Sequence, residues 1–255
     1  VVNDSSTDNS LEVASSFQDE RIHIYTKENE GVSAARNYGI MHAKYDYIAF
    51  LDADDIWESD YLECQKKLIG TYPDAGIYST AFYSLEKGKR KLRNVLINEH
   101  IHFLVHDYFK ESVMNGLSIC WTSSLCLKKE VIKEIPMFRV GIKRGEDLDL
   151  WLRIALNYDV AYLNLPKVFY RTGLSDSLTS DYSKNGEFPY YEWFNFTSES
   201  SYYRKYVILV VYIHAKNAFI HHDYDTCLAE LWSVKTIAWR FKWAERLLLL
   251  VISWI

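Results

Sequence analysis

Through the first half of the chain, short apolar runs alternate with stretches of helical periodicity. That order builds a mostly parallel sheet with helices on its faces. Val1-Val2 reads as a strand end, followed by a polar turn at residues 3–8. Asp8 or Asn9 can cap a helix running to about Phe17. Residues 21–25 alternate polar and apolar, as a half-buried strand does. A loop at 27–31 leads into a helix over 32–43, with Val32, Ala35 and Gly39 on one face. Residues 47–51 are continuously apolar, as expected of a central parallel strand covered on both sides, and they stop at Asp52-Ala53-Asp54-Asp55.

A helix over 60–72 and a strand over 76–83 follow, then a turn at Lys87-Gly88-Lys89 suited to a hairpin. Residues 99–138 show no single period. Residues 145–157 give a helix that buries Leu148, Trp151, Leu152 and Ala155. Beyond Pro166 comes a polar stretch at 172–186, read as a loop, and then two long aromatic helices. The chain divides accordingly into an α/β domain over 1–180 and a helical, aromatic-rich region over 181–255. Because Val1-Val2 looks like a strand already under way, the sequence is expected to lack its true beginning.

Composition narrows the reading without deciding it. Nearly half of the 255 residues are apolar, enough for a well-buried core. A net charge of -5 argues against a nucleic-acid partner. The four cysteines lack zinc-site or disulfide-framework spacing and read as reduced thiols of a cytoplasmic protein.

Four clusters carry candidate chemistry. Carboxylates at the end of an apolar strand sit where open α/β sheets place ligands. Hard oxygen ligands such as Asp52, Asp54 and Asp55 suit magnesium or manganese bridging to a diphosphate, although a solvated helix-capping turn has the same composition. Asp4 ends the preceding strand at the same sheet edge and can accept hydrogen bonds from a base or ribose, or simply form an Asx turn. Gly31-Val32-Ser33-Ala34-Ala35-Arg36-Asn37 opens a helix with small residues and one fixed cation, fit for an anion or for plain packing. Glu146-Asp147 opens the helix at 145–157, where the dipole keeps a carboxylate ionised for proton abstraction, or where it merely caps the helix.

Together, VVNDSSTDNS, ENEGVSAARNYGI, YIAFLDADDIW and RGEDLDLWLR resemble, in order and spacing, the family 2 glycosyltransferases, which have the GT-A fold. The resemblance covers residues 1 to about 76 and about 141 to 180. It implies an inverting transfer from a nucleotide sugar, commonly a uridine diphosphate sugar, without a covalent sugar–enzyme intermediate. By resemblance Asp4 contacts the base, Arg36 lies near the nucleotide, Asp52 meets the ribose or donor sugar, and Asp54 holds the divalent cation. Asp147 is then the catalytic base, and Glu146 supports the acceptor. Two departures stand out. The family's first strand, with its Pro-x-Tyr-Asn-like segment, is not present before Val1, and Thr172-Gly173 stand after Tyr170-Arg171 where many relatives carry a histidine.

The resulting expectation is a GT-A-like enzyme that glycosylates a hydroxyl on a glycan or lipid-linked carrier, in bacterial surface-polysaccharide synthesis by analogy. A nucleotidyltransferase and a non-catalytic nucleotide-sugar-binding module are the alternatives. Trp239, Arg240, Lys242, Trp243 and Arg246 precede a nine-residue apolar run at 247–255, too short to span a bilayer but suited to its interface. Peripheral attachment to the cytoplasmic face of a membrane is expected from that tail.

Overall fold

The longest strand among the described residues, β9 (Val160–Thr172), is thirteen residues long and organises the main sheet. In the computed structural model, which describes residues 1–116, 118–142, 144–173, 190–193 and 196–238, nine strands and nine α-helices are described. The strands before β9 are β1 (Val2–Asn3), β2 (Tyr25–Thr26), β3 (Tyr47–Ala49), β4 (Ile56–Trp57), β5 (Ile77–Glu86), β6 (Lys89–Arg93), β7 (His102–Val105) and β8 (Leu125–Lys128). The helices are α1 (Ser10–Ser15), α2 (Val32–His42), α3 (Tyr61–Thr71), α4 (Tyr108–Asn115), α5 (Val131–Glu134), α6 (Glu146–Ala155), α7 (Tyr190–Trp193), α8 (Tyr203–Ile220) and α9 (Tyr224–Ala238).

Seven strands form one sheet in the order β3-β8-β5-β9-β4, with β6 added to β5 and β7 to β9. Strand β5 pairs with β9 in parallel along its length, so its other edge serves β8 over Ile77–Ser79 and β6 farther out, from Phe82 to Glu86. Strand β9 is shared likewise between β7 and β4. Pro166, which has no N–H to donate, falls opposite Ala81 where the register shifts. A separate parallel pair, β1–β2, lies against α2. There a Cβ on Gly39 would stand 3.4 Å from Val2.

Several expectations are met closely. Helices appear at 32–42, 61–71 and 146–155, and the hairpin closes at Lys87-Gly88. Both turn residues have positive φ, 47° and 78°, which matches the twist of the flanking strands. Other expectations need correction. The seven-stranded sheet is mixed and not mostly parallel: β5–β9 is parallel and its other five pairings are antiparallel, and β3, expected as a central parallel strand, stands at the end of the order and runs antiparallel to β8. The strand expected over 21–25 shrinks to Tyr25–Thr26. Asp19 explains this: its carboxylate accepts the Arg21 N–H at 2.9 Å and its carbonyl accepts the Ile22 N–H at 2.9 Å, turning the backbone away from a ladder.

The core gathers Leu150, Trp151, Leu152 and Ile154 of α6 with Tyr108 and Phe109 of α4 and Tyr206 and Val207 of α8. Each such large apolar side chain contributes about 1.5–3 kcal/mol by its burial. The α6 helix is therefore firmly seated, and its first turn is fixed in place. All four cysteines are free, and burial raises the thiol pKa of each, consistent with inert packing groups. Among the described residues, no helix is long and apolar enough to cross a membrane. The basic-aromatic segment and apolar run of the tail, 239–255, lie outside the described residues, as does most of the polar stretch at 172–186.

Candidate active site

Arg36 is the hub. Gly31, with φ 89°, lets the chain turn sharply into α2, and Arg36 follows one turn later. One guanidinium nitrogen donates to Asp52 Oδ1 at 2.8 Å and the other to Glu146 Oε1 at 2.8 Å. The Phe138 ring lies under it at 5.3 Å. Burial disfavours its charge, but Asp52, Glu146 and Asp147 more than compensate and raise its pKa. Three segments far apart in sequence thus meet at one cation.

The carboxylates around it differ in surroundings. Burial first, then the charge of Asp147, lifts the Glu146 pKa well above the ordinary range, against the pull of Arg36. The Asp147 pKa is also raised by burial, although Arg36, the Leu148 N–H and the Thr122 hydroxyl oppose the shift. Asp147 Oδ2 accepts from Thr122 Oγ1 at 3.1 Å, and Oδ1 from the Leu148 N–H at 2.7 Å. Gly145, in the left-handed conformation at φ 74°, starts α6 so that both acids stand in its first turn.

The turn after β3 is built tightly. The Asp55 N–H closes onto the Asp52 carbonyl at 3.0 Å. The Asp52 N–H donates to Ser123 Oγ at 3.0 Å. Asp55 is buried and accepts from the Arg171 N–H at 3.2 Å, while Arg171 Nε donates to the Asp54 carbonyl. Burial raises the Asp55 pKa to about 6, despite hydrogen bonds from Ser123 and Arg171, with the charges of Asp52 and Asp54 adding to the rise.

Asp54 itself is half-buried, and among the described residues its carboxylate has no hydrogen-bond or ion-pair partner. No cluster of three or more His, Cys, Asp or Glu side chains that could hold a metal occurs among them. One unpartnered carboxylate beside a second suits magnesium or manganese, which bind through one or two carboxylates and complete their shell with water and substrate phosphates. The donor set therefore fits a cation held jointly with a diphosphate.

Asp4 follows β1 in the separate two-stranded pair, not at the edge of the sheet that holds β3 as expected. Its Oδ1 accepts from Lys27 Nζ at 2.9 Å and the Glu30 N–H at 3.3 Å, and its Oδ2 from the Gly31 N–H at 2.9 Å. Burial alone would raise its pKa, but these three bonds hold it below the ordinary value. A carboxylate has about four acceptor positions, so one remains for a base or ribose.

Sequence reasoning singled out Arg36, Asp52, Glu146 and Asp147, and the fold brings them together. It missed Thr122 and Ser123, which a 3-10 turn places against Asp147 and the Asp52 N–H. Their signal was a polar triplet, Thr122-Ser123-Ser124, between two apolar runs. It also gave no role to Asp149, which is wholly buried and accepts from Arg153 at 2.8 Å and from the Trp193 indole at 2.8 Å. His214 pairs with Glu230 across α8 and α9, so it is committed elsewhere.

Known proteins supply an independent view. A TarS crystal structure from S. aureus with bound UDP-GlcNAc superposes with a TM-score of 0.60 at 16% identity, covering 71% of this chain and 51% of that one. This likeness establishes the GT-A fold. A Bacillus subtilis protein named for teichuronic acid biosynthesis, TuaG, is 30% identical over 165 residues, 64% of this chain and 62% of its own. A Rickettsia felis glycosyltransferase is 34% identical over 160 residues, 61% of this chain and 25% of its own. The chain thus spans between a quarter and about three fifths of the length of these relatives. The family model described as Glycosyl transferase family 2 matches residues 1–135, more than half of the chain, and the chain belongs to that family.

Proposed function

We propose that this chain carries the catalytic domain of an inverting glycosyltransferase that moves a sugar from a nucleoside diphosphate sugar, most simply a uridine diphosphate sugar, to a hydroxyl of a glycan or lipid-linked carrier. The observation that carries the reading is the convergence of Asp52, Glu146 and Asp147 on Arg36 beside the unpartnered Asp54.

Asp54 would hold a magnesium or manganese ion, which supplies charge neutralisation for the departing nucleoside diphosphate. Asp52 is fixed by Arg36 through one oxygen, and its other oxygen would serve the donor sugar or ribose. Asp4 serves the nucleotide end, fastening loop 27–31 and offering its remaining acceptor position. Asp147 takes the proton from the acceptor hydroxyl as that oxygen attacks the anomeric carbon. The bond from that carbon to the diphosphate breaks on the opposite face, which inverts the centre. A base that binds its proton more tightly than an ordinary carboxylate is suited to this step, because proton transfer is best driven by a pKa near the working pH. Glu146, locked by Arg36, braces the acceptor side.

Calorimetric titration of UDP with and without manganese, followed by a product assay with UDP-sugars, tests the reading. Manganese-dependent binding and release of nucleoside diphosphate support it. Release of pyrophosphate from a nucleoside triphosphate would identify a nucleotidyltransferase instead. Binding without turnover by the full-length protein would identify a binding module.

A further inference from the structure

A cavity of about 920 Å³ on the outer part of the main sheet has walls of two kinds. One wall is aromatic: Trp121 and Tyr170 pack at 4.3 Å between ring centres, and Phe82 lies 5.8 Å from Trp121. The other is the outer hairpin β5–β6. Cross-strand register pairs Phe82 with Arg93, Ser84 with Lys91 and Glu86 with Lys89, and side chains directly opposite share a sheet face. Parallel pairing adds Tyr170 beside Ser84 and Thr172 beside Glu86. Lys89, Lys91 and Arg93 therefore stand on the same face as Tyr170, and all line the cavity.

The charge is concentrated. Residues 86–93 hold five cations and one anion in a chain of net charge -5. Among the described residues, Lys87, Lys89, Arg90, Lys91 and Arg93 form no ion pair, although Arg93 donates to Ser84 Oγ at 3.1 Å. The Trp121 indole N–H is buried and has no hydrogen-bond partner among the described residues. A buried donor is costly to leave unmatched, and a ligand that offered an acceptor to Trp121 and anions to the solvent-exposed cations would match both. Two of the cavity's lining residues are also chain neighbours of residues that bind the site acids. Trp121 precedes Thr122, which donates to Asp147, and Tyr170 precedes Arg171, whose N–H donates to Asp55.

We propose that this cavity is the acceptor site and that its acceptor is a glycan bearing repeated anionic groups, either carboxylates or phosphodiesters. Sugar or polyol units would lie on Trp121 and Tyr170, with the anions on Lys89, Lys91 and Arg93. The assignment rests on the transferase reading above. An anionic membrane surface is disfavoured because the three cations share a concave wall with aromatic side chains.

The test uses an oligogalacturonate, its fully methyl-esterified neutral form, and a glycerol phosphate oligomer as probes in calorimetric titrations of the whole chain. The wild type should bind one or both anionic oligomers at least tenfold more tightly than the methyl ester, and less tightly as salt rises. The double variant Lys89→Gln, Lys91→Gln alters only exposed side chains. It should bind the anions about tenfold more weakly and leave methyl-ester binding unchanged. Preference for one anionic oligomer identifies which group the site takes. Equal binding of acid and ester, no binding of either anion, or wild-type affinity in the double variant overturns the proposal. So does a loss confined to phosphatidylglycerol vesicles with oligomer binding intact. Manganese-dependent UDP binding, measured in parallel, separates the two readings. Its absence counts against the transferase, and its presence without anion preference counts against the acceptor assignment alone.

Discussion

Asp54 and Asp55 are neighbours in sequence with opposite surroundings, and substitution should separate them. Asp54 has no partner among the described residues, whereas Asp55 is only 7% exposed and held by the Arg171 N–H. Asp54→Asn should abolish manganese-dependent donor binding, and Asp55→Asn should reduce it only modestly, as calorimetry would read directly. Equal losses would remove the assignment of the cation to Asp54. Asp55 makes a second prediction. Its pKa is about 6 in the fold against 3.8 in the unfolded chain, so the folded state binds the proton more tightly. Stability from this group is whole below pH 3.8 and is lost as pH rises through about 6. The ionised carboxylate then costs up to roughly 3 kcal/mol without metal. An amide at this position would keep the acceptor for Arg171 and lose the charge, so Asp55→Asn should raise the denaturation midpoint at pH 7.5 and leave it unchanged at pH 3.5. A lowered midpoint at both would show that the carboxylate is needed for packing. At Asp147, replacement by Asn should slow transfer by roughly 10²–10⁴-fold while donor affinity stays near wild type. Near-normal turnover would reduce the Glu146-Asp147 pair to a helix cap.

At the level of elements, α6 carries two faces of one first turn: Glu146 and Asp147 point toward the site, and Asp149 toward the interior. Asp149 is wholly buried and gathers Arg153, Arg139 and the Trp193 indole, so it fastens α7 to α6. Asp149→Ala would leave Arg153 buried without its counter-ion, at a cost of roughly 3–5 kcal/mol. Urea denaturation checks this, and a loss under about 1 kcal/mol would mean that Arg153's bonds to the Pro136 and Met137 carbonyls suffice. This double duty explains what was legible. The helices α2, α3 and α6 announced themselves by spacing and small or acidic openings, because each has one clear buried side. Asp149 did not, since an acid in a run of acids looks the same whether it meets water or a buried arginine. Strand β8 and the turn at Thr122–Ser124 were hidden for another reason. Their chemistry depends on neighbours 71 residues away for Asp52–Ser123 and 25 for Thr122–Asp147, which no local period reports. The direction of β3 was misjudged on the same account, because an apolar run says that a strand is covered and not which way its partner runs.

Across the whole molecule, Arg36 joins parts that the sheet itself does not join. The β1–β2 pair and α2 stand apart from the seven-stranded sheet in strand pairing. Arg36 reaches from α2 to Asp52, 16 residues on, and to Glu146, 110 residues on, with only 12% of its side chain exposed. Its removal would leave three acids, Asp52, Glu146 and Asp147, close together and short of a counter-charge. Arg36→Met, which keeps much of the packing over Phe138, should therefore destabilise the fold by roughly 3–5 kcal/mol at neutral pH. Lysine should rescue only part, since one ammonium does not reproduce two directed guanidinium bonds. The sign with pH follows from the acids. Burial already raises the pKa values of Glu146 and Asp147, and loss of Arg36 raises them further, so protonation relieves the repulsion as pH falls. Chemical denaturation at pH 8 and pH 5.5 should show the deficit of Arg36→Met shrinking at the lower pH. A deficit below about 1 kcal/mol, or one that does not move with pH, would mean that the charges are satisfied by solvent and that Arg36 does not hold the two halves of the site together.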